Sequence, residues 1–312
     1  MIVFLNLFYF PFCFYDINVF CFKLCTTSCI LLVMDTKRII FSSYAAALLI
    51  CGGCATTNNK SLSVPRDGAV LKEASSIRHI VSARQLEKAS VKEFERIKSR
   101  AKNNNKLAND NNPTLKKLIL IEKKLKPHAV AWNADSSMWK WEVILIKSDS
   151  LNAFCFPGGK IVFFTGIIEN LSLTDDEIAM IMGHEMAHAL REHARSRMAK
   201  TQLTDIGTDI LTSVLGLSKN ERQIIGFGRQ LVSLKFSRGD ETDADLVGLD
   251  IAARGGFDPK ASITLWGKMQ KANKSSPPEW LSTHPSGKNR VNELTKHLSK
   301  VLPLYERALE DK

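Results

Sequence analysis

Residues 184–188 read His-Glu-Met-Ala-His, a stretch in which three side chains could act together on one substrate. On a helix, positions four apart share a face, so His184 and His188 would offer two imidazole nitrogens to one metal ion. In this HExxH spacing the intervening Glu185 serves as a general base, and Zn²⁺ is the metal that the pattern favours. The pattern therefore predicts one zinc ion per chain and a hydrolytic reaction.

The surrounding residues predict the helix that this spacing requires. Thr174 and Glu177 have the spacing of a capping box, which marks a helix start. Residues 178–190 are apolar nearly all round, which predicts a buried helix. Buried histidines and a buried glutamate are costly without partners, and a metal ion is one such partner. The alternative is a helix that is rich in histidine by chance.

His193 follows closely, but its position argues against metal binding. If the helix continues, His193 lies about 140° around the helix axis from His188. The metzincin pattern would need its histidine at position 194, which is Ala194. We therefore expect His193 to form a hydrogen bond at the helix end and not to bind the metal.

A second helix is predicted within residues 236–259, FSRGDETDADLVGLDIAARGGFDP. Acidic residues crowd its start, and Gly255 and Gly256 supply a stop. Glu241 and Asp245 are four apart and share one face. Because much of this helix is apolar, the carboxylate pair faces a core and needs a cation nearby.

Four blocks of the sequence resemble one family of enzymes. GHEMAHALREHARSRM, SRGDETDADLVGLDIAARGGFDP and STHPSGKNRV look like signature blocks of the HtpX, CAAX-prenyl-protease and Oma family of zinc metallopeptidases, which are gluzincins. IKSDSLNAFCFPGGKIVFFTGII resembles the strand region before their HExxH helix. The resemblance covers residues 139–290 and looks most like the periplasmic LoiP- and BepA-type members. It implies an α+β, mainly helical, zincin-like metallopeptidase fold with a small β-sheet beside the HExxH helix.

The resemblance also implies roles for residues outside HExxH. Glu241 would be the third zinc ligand, and Asp245 would be a carboxylate that orients a ligand imidazole. His284, in a Pro/Ser loop at 272–286, would stabilise the oxyanion or gate the open zinc position. Arg290 would lie beside the site. The alternative for His284 is a loop histidine before a proline.

A short sheet is predicted before the HExxH helix. Residues 141–147 and 160–164 are rich in β-branched and aromatic side chains, and Pro-Gly-Gly at 157–159 predicts a turn. By resemblance, NAFCF (152–156) is the candidate edge along which an extended peptide adds through main-chain hydrogen bonds. The alternative is an ordinary buried hairpin.

The first part of the chain predicts targeting. We expect residues 1–33 to be an extension upstream of the true start at Met34; a membrane helix in 1–33 is the alternative. Residues 34–53 have the charged start and short apolar run of a signal peptide. Gly53-Cys54 resembles a lipobox, so we expect a lipid on Cys54 and a periplasmic protein at the outer membrane. The alternative is simple cleavage that leaves a soluble periplasmic protein.

Charge divides the rest of the chain. We expect an N-terminal basic helical region at 54–126 and a catalytic domain at 127–312. Residues 60–126 carry 17 Lys+Arg and 7 Asp+Glu, whereas 127–312 carry 23 of each. The basic excess indicates contact with acidic lipid or acidic protein, or a solvated helix face. Because six of the seven cysteines lie in the first 54 residues, the mature chain can form neither a disulfide framework nor a cysteine zinc site.

These features predict a zinc endopeptidase, anchored as a periplasmic lipoprotein, that cleaves misfolded or stalled envelope proteins with Glu185 as general base. The alternative function is a periplasmic chaperone or assembly factor for outer-membrane proteins with a latent protease site. A secretion signal argues against nucleic acid as a partner.

Overall fold

The computed structural model describes residues 67–69, 71, 73–201, 234–275, 278–285 and 288–310. The predicted extension at 1–33, the signal peptide at 34–53 and Cys54 lie outside the described residues. The boundary expected at residue 126 stays a prediction. Among the described helices, none is both long and apolar enough to cross a membrane.

The fold is mainly helical with one small sheet, which confirms the predicted class. The strands are β1 (Glu142–Ile146), β2 (Ala153–Phe156) and β3 (Lys160–Phe164). The helices are α1 (Ala83–Asn103), α2 (Pro113–Leu125), α3 (Thr165–Glu169), α4 (Asp175–Leu190), α5 (Arg238–Arg254), α6 (Ala261–Ser275), α7 (Glu279–Thr283) and α8 (Lys288–Glu310). Residues 193–201 are also helical.

The sheet has the strand order β1-β3-β2, and β2 lies at its edge. β1 pairs with β3 in parallel, whereas β2 pairs with β3 antiparallel through a tight turn. Gly158 and Gly159 form this turn with φ of +90° and +77°, which favours glycine over residues with a side chain. Phe154 and Phe156 pack on the face of the sheet that α1 covers, and Ala153 packs on the other face, in the main core.

Helix α4 carries the HExxH stretch and runs through the main core. Its start is the predicted capping box: Thr174 Oγ1 accepts a hydrogen bond from the Glu177 backbone, and the Glu177 carboxylate accepts one from the Thr174 backbone. Every residue from Glu177 to Leu190 is buried. The prediction of a capped and buried helix is therefore confirmed.

Helices α4 and α5 touch backbone to backbone at two glycines. A Cβ atom on Gly183 would lie 2.7 Å from the carbonyl oxygen of Gly248, and one on Gly248 would lie 2.5 Å from the backbone nitrogen of His184. Such distances leave no room for a side chain at either position. This close crossing brings the acidic face of α5 against the two histidines of α4.

Helix α4 ends at Leu190, so the premise that it continues through His193 was wrong. Glu192 adopts a left-handed φ of 55°. Its carboxylate binds Arg78 at 2.8 Å and Arg195 at 2.7 Å, which stabilises this turn. The chain therefore changes direction before residue 193, and His193 does not follow the helical spacing.

The basic helices α1 and α2 pack against the rest of the structure through their apolar faces. Phe94 and Ala101 of α1 contact Ile144, Ile146 and Val162 of the sheet. Helix α2 inserts Leu115, Leu118, Ile121 and Leu125 into the main core. Most of the lysines and arginines of both helices remain on the solvent side.

Candidate metal centre

Four buried side chains converge where α4, α5 and α7 meet. Donor atoms of His184, His188, Glu241 and His284 all lie within 4.8 Å of one another. The α4 spacing supplies the two histidines of HExxH, the first turn of α5 supplies Glu241, and His284 caps the end of α7. This group could hold one metal ion.

The distances between the donor atoms fit a zinc ion. Nε2 of His184 lies 3.0 Å from Nε2 of His188 and 3.5 Å from Oε2 of Glu241. Nε2 of His188 lies 3.6 Å from Oε1 of Glu241. A tetrahedral zinc with bonds of about 2.0–2.1 Å separates its ligand atoms by roughly 3.4 Å. The three donors therefore already stand at the spacing that zinc requires.

His284 supplies a fourth donor at the same spacing. Its Nδ1 lies 3.2 Å from Nε2 of His184 and 3.2 Å from Oε1 of Glu241. The His284 ring stacks on Trp280 with 4.7 Å between centroids and is buried. The resemblance implied that His284 stabilises the oxyanion or gates the open zinc position, and the structure places its Nδ1 at the spacing of the other donors.

Asp245 and Arg290 contact the side chains of the donor set. Oδ1 of Asp245 lies 3.0 Å from Nδ1 of His184. Arg290 donates two hydrogen bonds to Asp245, at 2.6 and 2.7 Å, and its Nη1 lies 2.7 Å from Oε2 of Glu241. Burial opposes the ionisation of Asp245, but the Arg290 guanidinium outweighs it and lowers the pKa of that carboxyl. Both residues contact members of the donor set, so they could orient those side chains.

His193 supports the other histidine ligand. Its Nδ1 lies 3.0 Å from Nδ1 of His188, and its Nε2 lies 2.9 Å from Oδ2 of Asp243. Asp243 is anchored in turn by Arg191 at 2.6 Å. His193 is thus the hydrogen-bonding residue that the sequence predicts, and its Nδ1 points at His188 Nδ1 and not at the donor set.

The surrounding charges determine which of the two HExxH histidines carries a proton before a metal binds. Oδ1 of Asp245 lies 3.0 Å from Nδ1 of His184, and this negative charge favours a proton on that nitrogen. Burial disfavours the charged form of His184, but hydrogen bonds to Asp245 and Glu241 outweigh it and raise its pKa to about 9. Burial and the neighbouring His184 lower the pKa of His188, which stays neutral. Without a metal, the protonated His184 can therefore donate from Nε2 to the neutral Nε2 of His188 across 3.0 Å, and a zinc ion that binds both nitrogens would displace that proton.

Glu185 lies beside the donor set without belonging to it. Its Oε1 accepts a hydrogen bond of 2.7 Å from the indole Nε1 of Trp280 and lies 3.5 Å from Nε2 of His284. Glu185 also lines the open cleft next to the centre. A carboxylate held at this point could take a proton from a water molecule that attacks a bound substrate.

The cleft beside the centre is bounded by the edge strand β2. Asn152, Cys155 and Phe236 line it together with Glu185 and His188. Burial raises the pKa of the Cys155 thiol well above its usual value, so this cysteine stays protonated and is a poor metal ligand. Phe236 stacks on His188 with 3.9 Å between ring centroids.

Sequence reasoning missed Trp280 and Phe236. Residues around Trp280 were predicted as loop, whereas α6 extends to Ser275 and α7 forms a short helix. The spacing of four residues between Trp280 and His284 was a usable signal, because it places both on one face of a helical turn. Phe236 offered no such signal, since its role depends on where the chain before α5 passes His188.

The comparisons with known proteins concern the same part of the chain. The model of peptidase family M48 matches residues 121–298, which include all four donors. "Mitochondrial metalloendopeptidase OMA1" of Arabidopsis thaliana is 35% identical over 172 residues, 54% of this chain and 34% of that protein. The protein of the same name from Saccharomyces cerevisiae is 34% identical over 178 residues, 54% of this chain and 50% of that protein.

A bacterial protein is similar as well. "Beta-barrel assembly-enhancing protease" of Escherichia coli is 29% identical over 189 residues, 57% of this chain and 39% of that protein. The chain therefore spans about a third to a half of the length of these three relatives.

Proposed function

The chain belongs to peptidase family M48, and on this premise we propose that it is a zinc endopeptidase with Glu185 as general base. The observation that carries the proposal is the position of Glu185. It adjoins the donor set, is oriented by Trp280 and faces the cleft. A metal site with a purely structural role does not require a carboxylate that faces the cleft without binding the metal.

The mechanism follows from what each residue can do. A zinc ion bound by His184, His188 and Glu241 would lower the pKa of a water molecule and polarise the peptide carbonyl. Glu185 accepts the proton of that water during attack and returns it to the leaving amine. The Trp280 indole holds the Glu185 carboxylate in place at 2.7 Å. Asp245 and His193 keep the two imidazoles turned toward the centre.

The edge strand β2 supports binding of an extended substrate. Among the described strands, β2 pairs with β3 alone, so its other edge has main-chain groups available for a further strand. Asn152, just before β2, lines the cleft, and its side-chain amide forms no hydrogen bond with any described residue. A peptide added along β2 is bound through its backbone, which fits substrates of varied sequence.

His284 supports a second candidate, a latent protease that binds unfolded chains and rarely cleaves them. Catalytic zinc keeps one position open, whereas four protein ligands close the site. Nδ1 of His284 lies 3.2 Å from two other donors, so a zinc ion in this place would have four protein ligands and no open position. Cleavage then requires His284 to leave its place, which is the gating role. An oxyanion role would instead make His284 necessary for cleavage.

We also propose the setting of the enzyme. The lipobox-like Gly53-Cys54 supports a lipid anchor at the periplasmic face of the outer membrane, and the basic residues of 60–126 support contact with acidic lipid or protein. The name of the Escherichia coli relative refers to β-barrel assembly, which supports misfolded or stalled envelope proteins as substrates. Intact mass of the membrane-extracted protein should give an acylated Cys54. A chain that retains residues 1–33 would contradict this setting.

A cleavage assay separates the candidates. The full chain, loaded with zinc, is mixed with quenched fluorescent peptides and with an unfolded polypeptide, with and without a chelator. A protease should cleave, stop with chelator and recover with zinc. His284→Ala should raise the rate if His284 gates the site and lower it if His284 binds the oxyanion. Binding without cleavage by either protein would favour the chaperone, and neither binding nor cleavage would overturn both candidates.

A further inference from the structure

A second groove runs along the other side of the edge strand, between α1 and the sheet. It is lined by residues from α1 and the segment after it, from the three strands and the segment between β1 and β2, and from α7. The basic and aromatic residues of this lining are Arg96, Arg100, Lys106, Lys147, Phe154 and Phe164. We call it the basic groove.

The rim of the basic groove carries an excess of positive charge. Arg96 pairs with Glu93 on α1, which neutralises that arginine. Arg100, Lys106 and Lys147 are exposed and form no ion pair with a described residue. Glu279 is the remaining carboxylate on the rim, so the rim has a net charge of about +2. Exposed cations without partners attract acidic groups of a ligand.

The floor of the groove is apolar and aromatic. The rings of Phe154 and Phe164 lie 6.1 Å apart between centroids, and both are half-buried. Ile97 of α1 and Ile146 of β1 complete the floor. A ligand that fits both rim and floor has a large apolar side chain next to acidic ones.

The basic groove adjoins the cleft beside the metal centre. Asn152 and Phe154 line both of them. Asn152 lies immediately before β2. A peptide that pairs with β2 and extends past Asn152 would therefore reach the groove. The two cavities therefore lie next to each other at the edge of the sheet.

We propose that the basic groove binds a second segment of the substrate polypeptide, one in which an aromatic or large aliphatic side chain is flanked by Asp or Glu. This inference rests on the proposed function, because it takes the cleft as the site of cleavage. Main-chain pairing along β2 gives little selectivity for the substrate's sequence. The groove adds a preference for substrates that have such a segment beside the bond that is cleaved. A polypeptide fits better than a lipid headgroup, because the groove adjoins the cleft and has an aromatic floor.

The test compares matched peptides. Two fluorescent peptides carry the same cleavable core with an Asp-Phe-Glu segment on its amino or carboxyl side, and a third replaces that segment by Ser and Gly. Full-length wild type should show a lower KM and a lower Kd for one of the acidic peptides than for the neutral one. The double variant Arg100→Glu, Lys147→Glu should remove that advantage, about tenfold, and leave the neutral peptide unchanged.

Lys116→Glu is the matched control, because Lys116 is exposed on α2 and does not line the groove. It should behave as wild type with all three peptides. Equal effects of the double variant on acidic and neutral peptides, or no advantage for either acidic peptide in the wild type, would overturn the proposal. Loss of binding to phosphatidylglycerol vesicles with unchanged peptide binding would assign the groove to lipid and overturn it as well.

Peptide binding, measured apart from cleavage, tests this inference separately from the proposed function. Fluorescence anisotropy of the labelled peptides on Glu185→Gln measures occupancy of the groove whether or not the chain cleaves anything. If the wild type never cleaves but still prefers an acidic peptide, the proposed function fails and the basic groove stands. If cleavage occurs without that preference, the proposed function stands and the groove fails.

Discussion

Nδ1 of His193 lies 3.0 Å from Nδ1 of His188, and its opposite nitrogen lies 2.9 Å from Asp243. Only one arrangement of protons satisfies both contacts while Nε2 of His188 remains free for a metal. His188 donates from Nδ1 to Nδ1 of His193, and His193 donates from Nε2 to the Asp243 carboxylate. A histidine that binds no metal therefore fixes the tautomer of one that does.

Replacing His193 by alanine should weaken zinc binding without abolishing it. The variant leaves Nδ1 of His188 without its acceptor, and loss of such an outer hydrogen bond costs typically about 10–100-fold in metal affinity. Competition with a fluorescent chelator measures the affinity. His79→Ala, at an exposed histidine, is the control and should match the wild type. Unchanged zinc affinity in His193→Ala would show that the contact has no influence on the metal.

Glu241→Ala should lose far more zinc than His193→Ala. It removes a donor atom and also leaves the buried Arg290 guanidinium with one carboxylate instead of two. Zinc content per chain after dialysis measures the difference, and circular dichroism at the same temperature checks that the variant is folded. Equal losses from the two variants would reverse the assignment of ligand and supporting residue.

Glu185→Gln should keep zinc and lose cleavage. Glutamine has nearly the same shape and can still accept the Trp280 hydrogen bond, but it cannot take a proton from water. The general-base contribution is about 10²–10⁴-fold in rate. Metal content and peptide cleavage are measured on the same preparation, with Glu169→Gln at an exposed position as control. Wild-type cleavage by zinc-loaded Glu185→Gln would remove this residue from the mechanism.

Gly248→Ala should disturb the fold and the metal centre together. The new Cβ would stand 2.5 Å from the backbone nitrogen of His184, so α4 and α5 must move apart. We expect a loss of about 1–3 kcal/mol in the free energy of unfolding, with weaker zinc binding. Gly267→Ala is a sharp control because a Cβ there meets nothing within 4 Å. In a helix that change should stabilise by about 0.5–1 kcal/mol. Tolerance of Gly248→Ala would contradict the close helix crossing.

Glu122→Met should stabilise the protein in a pH-dependent way. Glu122 is buried, and its Oε1 has no hydrogen-bond partner among the described residues. Burial raises the pKa of Glu122, although Lys126 and Lys123 oppose the shift. Removal of the unpaired group should add about 1 kcal/mol to the free energy of unfolding at pH 7.

Because the pKa of Glu122 is raised in the folded state, the sign of the pH dependence can be worked out. The unfolded carboxyl has a pKa of about 4.3, and the folded one titrates at higher pH. The wild type therefore loses stability as the pH rises through this window, and the advantage of Glu122→Met should be smaller below it. Urea unfolding at several pH values measures this, with exposed Glu306→Met as control. An advantage that grows as the pH falls would contradict the buried, unpaired carboxylate.

Local patterns in the sequence determined the elements that carry the chemistry. The capping box at Thr174 and Glu177 placed the start of α4, and the spacing of His184 and His188 placed two donors on one face of it. Pro-Gly-Gly placed the turn after β2. Each of these depends on interactions within a few residues, where helix and turn geometry alone decide which side chains meet.

Only the tertiary structure decided which distant groups meet those elements. His284 reaches the donor set from 100 residues beyond His184, and its role as a fourth donor depends on how α7 packs against α4. His193 is close in sequence, yet a left-handed Glu192 held by Arg78 and Arg195 turns it toward His188. Contacts of this kind arise from packing and from single backbone turns, which residue spacing along the chain does not encode.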